Sequence, residues 1–125
     1  MRILHITFFS LISSLVLVGC SENKNEAYFK QHPDEILATS IECSRLPDKE
    51  VLNNASCRAI ANLEKPLCEQ ELKVSGRIST PRGWIYNCND QYYLIARPII
   101  DAKMKAYITG KPDPVVEYMK NHPQK

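Results

Sequence analysis

Four cysteines, Cys43, Cys57, Cys68 and Cys88, follow one another at spacings of 14, 11 and 20 residues. Any fold of this chain has to unite them in pairs or gather them round a metal. No C-x-x-C is present, and structural zinc sites draw on such short pairs. Disulfides are therefore expected, provided that the chain matures in an oxidising space. Four cysteines allow three pairings, and the spacing alone selects none.

The start of the chain supplies the compartment. MRILHITFFSLISSLVLVGC has a short basic opening at Arg2, an apolar run to Val18, then a small residue and a cysteine. That is the layout of a secretory leader, too short and too interrupted by His5, Thr7 and serines to span a membrane. Leu17-Val18-Gly19-Cys20 further matches the lipobox of bacterial lipoproteins, in which the sulfur of Cys20 takes a diacylglyceryl group before cleavage. Residues 1–19 are read as the leader and 20–26 as a polar, flexible tether. Acyl chains contribute about 0.8 kcal/mol per buried CH₂, so several of them hold a protein firmly to a bilayer. The expected location is the cell envelope, facing the periplasm. Ser21 after the lipidated cysteine favours the outer membrane.

Arg2 is the one charge in the leader, so its removal lowers the net charge from +2 to +1. That field is too weak for nucleic-acid binding, and no basic stripe compensates.

Residues 27–65 read as a helical hairpin. AYFKQ forms a turn or two and stops at His32, because the residue before a proline avoids helical geometry. Pro33 opens the next helix, with Asp34 and Glu35 complementing its dipole. After Leu46-Pro47-Asp48, a second helix is expected over about 49–63, with Leu52, Ala55, Ala59 and Leu63 on one face. Helices joined by a short turn lie antiparallel, which makes Cys43–Cys57 reasonable.

Residues 66–125 read differently but belong to the same domain. LKVSGRIS, GWIYNC and QYYLIAR are rich in β-branched and aromatic residues, and TPRG and ND punctuate them. Three short antiparallel strands are expected, with Trp84, Tyr86 and Cys88 on one face of the middle strand. Cys68–Cys88 would tie this meander to the hairpin. A helix after Arg97-Pro98 is expected to stop at Gly110, and a last one starts with Asp113 as cap and Pro114 at its first position. The sum is a small α+β domain.

Chemistry is sparse. His32 and His122 precede prolines and suit caps that bond the last carbonyls of a helix. Asp34 and Glu35 are neighbours and point to different sides of a helix, a poor arrangement for a paired acid and base. No G-x-S-x-G, H-E-x-x-H or phosphate-cradling glycine pattern occurs. No catalytic residue, metal site or cofactor is assigned, and an enzyme is not expected. Trp84, Tyr86, Tyr92 and Tyr93 are the candidates for a partner-binding patch.

The lipobox, the polar stretch after it, AYFKQHPDEI, the cysteine of SIEC and NNASCRAIAN together resemble the EexN-type entry-exclusion lipoproteins of conjugative plasmids. Tyr28, Phe29, Pro33, Asp34, Glu35, Cys43, Cys57 and Ala59 occupy matching positions. The resemblance covers about residues 1–65; short family members end there, whereas this chain adds a segment with two further cysteines. It implies a non-enzymatic envelope protein that stops a cell from receiving a second copy of an element it already holds. Its implied partner is a component of the donor's mating channel, a type IV secretion system. Two other readings compete: a structural lipoprotein of such a channel, and a periplasmic inhibitor of a lytic enzyme, to which YNCND bears a faint likeness. The oligomeric state is left open.

Overall fold

The computed structural model describes residues 24–124. The leader, Cys20 and Ser21 lie outside the described residues. The chain is mostly helical, with one small antiparallel sheet and two disulfides. Its elements are α1 (Glu26–Gln31), a 3-10 turn (Pro33–Glu35), α2 (Ile36–Ser44), α3 (Asp48–Val51), α4 (Ala55–Ser75), β1 (Ile78–Thr80), β2 (Gly83–Ile85), α5 (Gln91–Thr109) and α6 (Pro114–Asn121).

Local signals set most boundaries. The Asn25 side chain accepts from the Tyr28 N–H and starts α1. Asn54 does the same for the Cys57 N–H at the head of α4, and Asp113 for Val115 in α6, where Pro114 takes the first turn. Gly76 and Gly110 end α4 and α5 in the left-handed conformation, at φ 78° and 67°.

Four expectations are corrected. The three-stranded meander is a two-stranded hairpin, in register Ile78↔Ile85, Ser79↔Trp84 and Thr80↔Gly83. The first expected strand loses Leu72–Ser75 to the end of α4, and QYYLIAR is the start of α5. There the Asp90 side chain accepts from the N–H groups of Tyr92 and Tyr93, a cap that commits the segment to helix despite its β-branched and aromatic content. The second helix does not run over 49–63: α3 is a single turn, and α4 then continues through Pro66 for 21 residues. Residue 66 therefore lies inside a helix, as does Pro98 in α5. Finally, residues 24–26, expected in the tether, belong to the folded part, with Asn25 capping α1 and Glu26 opening it. The Lys24 N–H donates to Ser56 Oγ at 3.1 Å, and the Lys24 ammonium pairs with Glu35 at 2.6 Å.

The core is built round the disulfides. Cys43–Cys57 joins the end of α2 to the first turn of α4, and Cys68–Cys88 joins the middle of α4 to the loop before α5. All four cysteines are buried, among Val51, Ala61, Ile78, Leu94 and Ile95. A smaller cluster of Phe29, Ala59 and Ile60 seats α1 on α4. The most extensive helix contacts are α4 with α5 and α2 with α5, while α6 closes on α5 and α2.

Candidate interaction surface

Arg97 lies in the second turn of α5 and is buried, at 6 % exposure. Its Nε donates to Glu64 of α4 at 3.0 Å, and its Nη1 donates to Glu71 at 3.1 Å and to the Tyr93 hydroxyl at 3.0 Å. Burial opposes the guanidinium charge, but the hydrogen bonds with Glu64, Tyr93 and Glu71 outweigh it and hold the pKa above the ordinary arginine value. Glu64 is pushed the other way. Burial raises its carboxyl above the usual range, and the Arg97 hydrogen bond offsets only part of that.

This network fixes one wall of a groove. Tyr93 reaches Arg97 with its hydroxyl, while on the neighbouring face Tyr92 approaches the Asp48 carbonyl of α3 at 3.4 Å. Ala96 and Ile100 continue the stripe along α5 at helical spacing. The opposite wall is the hairpin. Thr80 accepts from the Arg82 N–H and donates to the Gly83 carbonyl, which closes the turn. Gly83 sits at φ 112°, a conformation that excludes other residues. Pro81, Arg82 and Ile85 face Tyr92, Tyr93 and Ile100 across about 320 Å³.

The four aromatic candidates are thus divided. Tyr92 and Tyr93 share the groove. Trp84 lies on the other face of the hairpin from Ile85, by the two-residue period, and is 53 % exposed. The Arg77 guanidinium stacks over it at 3.8 Å from the ring centroid. Tyr86 follows the end of β2 and is exposed, whereas Cys88 is buried, so the three residues expected on one strand face do not share it. Ile85, Arg82 and Ile100 belong to the groove but escaped sequence reasoning. Once the Asp90 cap is recognised, the spacing of Tyr92, Ala96 and Ile100 would have revealed one wall.

A second, more open cleft of about 380 Å³ runs along α2 between Lys24 and Tyr118. Tyr118 of YMKNHP (118–123) lines it, and so does Glu35, the partner of Tyr28 in YFKQHP (28–33); the two hexapeptides adopt the same conformation. In each, the histidine ring stacks on the tyrosine four residues earlier, at 4.2 and 4.1 Å between centroids, and its Nδ1 lies 3.0 Å from that tyrosine's carbonyl. Each tyrosine hydroxyl donates to a glutamate: Tyr28 to Glu35, and Tyr118 to Glu42. Glu35 pairs with Lys24, and Glu42 with Arg45. Both carboxylates are thereby engaged, and the histidines act as helix stops.

Among the described residues, no three His, Cys, Asp or Glu side chains are placed to hold a metal ion, and no helix is long and apolar enough to cross a membrane. Comparison with models of known protein families, with characterised proteins and with solved structures gives no match to this chain.

Proposed function

We propose that the protein is an envelope lipoprotein of entry exclusion. On this reading it is anchored through Cys20 and blocks redundant DNA transfer by binding a component of the donor's mating channel. The observation that carries the reading is the ordered series of lipobox, polar stretch, AYFKQHPDEI and the cysteines of SIEC and NNASC. The groove between the hairpin and α5 supports the choice of contact surface. It sets partly exposed aromatic and apolar side chains against a wall fixed by the Arg97 network, the kind of rigid anchor site that dominates protein interfaces. Anchoring raises the local concentration at the membrane, so a modest affinity suffices.

A mating assay tests this. Recipients that express the protein should accept the matching element less often than empty recipients and accept an unrelated element normally. Ile100→Glu, which places a charge in the groove, should restore acceptance while the protein is still made and anchored. Undiminished transfer into expressing recipients would refute the role. A need for the protein in donors would instead assign it to the channel.

A further inference from the structure

We infer that the last turns of α5, with exposed Met104, Tyr107 and Ile108 set among Lys103, Lys105 and Lys111, rest on the phospholipid surface of the anchoring membrane. This depends on the lipid anchor at Cys20, but not on conjugation or on the groove. Three observations support it. The first is composition. Met104, Tyr107 and Ile108 share one side of α5 at spacings of three and four residues, and all three are exposed. At about 100° per residue, Lys103 and Lys105 fall on either side of this stripe, and Lys111 follows just past Gly110. The second is charge. Lys105 and Lys111 pair with no carboxylate among the described residues. The acidic side chains of this stretch are engaged elsewhere: Asp101 lies in the field of the Arg97 guanidinium, and Asp113 is bound by Lys103 at 2.8 Å and caps α6. Apolar and tyrosine side chains flanked by free ammonium groups match a bilayer interface, where the former enter the acyl boundary and the latter reach lipid phosphates.

The third is position, and it selects the membrane over a soluble partner. α5 runs antiparallel to α2, with Tyr92 at Asp48 just past the end of α2 and Ile95 at Ser40. At 1.5 Å per residue, Glu35, which holds Lys24, lies about 8 Å beyond Ser40 toward the head of α2. Met104 and Ile108 lie about 14 and 20 Å beyond Ile95 in the same direction. The stripe thus projects past the point where the chain enters the fold. From Cys20 to Lys24 the chain spans four residues, at most about 14 Å. A lipid on Cys20 therefore brings this end of the molecule against the bilayer, and the groove, lined by the first half of α5, is turned away from it.

Tryptophan quenching tests this. Two forms of the lipoprotein are inserted from detergent into vesicles of phosphatidylcholine and phosphatidylglycerol in equal parts, with brominated acyl chains. The wild type reports from Trp84 on the hairpin, its single tryptophan. The Trp84→Phe, Tyr107→Trp form reports from the end of α5, where Tyr107 is 88 % exposed and its replacement leaves the packing intact. The second form should be quenched and the first should not. Lys105→Gln with Lys111→Gln in the reporter form should lower the ratio of docked to free molecules about thirtyfold, as the loss of two lysines at an anionic surface implies. Quenching of both forms alike, of neither, or unchanged by the lysine substitutions would each overturn the proposal. So would a concentration-dependent blue shift of the reporter in detergent alone, which would make a second copy the occupant. Recovery of both forms with the vesicles shows that the anchor is in place, so an unquenched reporter there sinks the docking and spares the anchor. Protein left behind in solution sinks both.

Discussion

Arg97 could not be recognised from the chain as a buried hub, because an arginine between Ala96 and Pro98 looks like a break between elements. Its position is set by carboxylates from α4, Glu64 and Glu71, that no local pattern connects to it. Removing one member of a buried pair strands the other, at a cost of about 3–5 kcal/mol. Arg97→Leu should therefore lower the unfolding free energy by about that much in urea melts, and a change below about 1 kcal/mol would mean that the carboxylates find other partners. Glu64 carries a pH signature. Because burial raises its folded pKa above the ordinary value of 4.5, the folded state holds that proton more tightly than the unfolded chain. The associated stability is present at low pH and is lost as pH rises from about 4.5 through the raised value. The stability of wild type relative to Glu64→Gln should accordingly decline across that window. A flat or rising difference would contradict the assignment. Glu35 and Asp113 act oppositely: their pKa values are lowered, chiefly by hydrogen bonds with Lys24 and Lys103, so their contribution fades as pH falls. By contrast, the caps at Asp113, Gly110 and His32 were readable, since each depends on its nearest neighbours in the chain.

Prolines mark the limit of that local legibility at the scale of elements. Pro66 and Pro98 read as breaks, because an interior proline removes one backbone hydrogen bond and costs about 3 kcal/mol. Both are carried inside long helices nonetheless. In α4, Cys57, Ala61, Glu64 and Cys68 lie on faces buried against the rest of the molecule, and two disulfides hold the helix at both of its halves. In α5, Pro98 has no N–H for the Leu94 carbonyl, and the adjoining Ile95 carbonyl is taken by the buried Ser40 hydroxyl at 2.5 Å. Tertiary contact thus outweighs propensity where local reasoning predicts an end. Pro66 is exposed, so Pro66→Ala should raise stability by about 2 kcal/mol, the helical gain less the added freedom of the unfolded chain. A drop in melting temperature would show that the proline shapes the helix usefully. Cys43→Ala with Cys57→Ala opens a loop for which the chain-entropy model gives about 3 kcal/mol, measurable as a shifted urea midpoint.

The whole molecule has a core organised by covalent bonds as much as by burial. Its larger apolar cluster contains all four paired cysteines and few bulky side chains, in keeping with the small surface that a domain of this size can bury. Reduction should therefore melt the domain as a unit, with circular dichroism and Tyr fluorescence lost together. A reduced protein that keeps its helices would show that burial alone suffices. The small α+β class was legible from the chain because helix stops and cysteines are local features. The third strand was misread because the Asp90 cap went unrecognised, and the groove was not legible because it depends on how the hairpin meets α5.

The two tyrosine–histidine clasps have a consequence for the geometry of the chain's path. One lies just after Lys24 and the other just before Gln124, and they bind to Glu35 and Glu42, seven residues apart along a single stretch of helix. Lys24 itself contacts Glu35 and Gln124 contacts Arg45, a separation of about 15 Å at 1.5 Å per residue, so both ends of the described segment leave from the α2 side of the molecule. Such a fold is suited to circular permutation: a short linker from residue 124 to residue 24, with the chain reopened at the exposed Pro81–Arg82 turn, should give a protein of unchanged helical content. It also means that a tag on the C-terminal end would crowd the face where residue 24 enters the fold, whereas one inserted at the hairpin turn would crowd the groove.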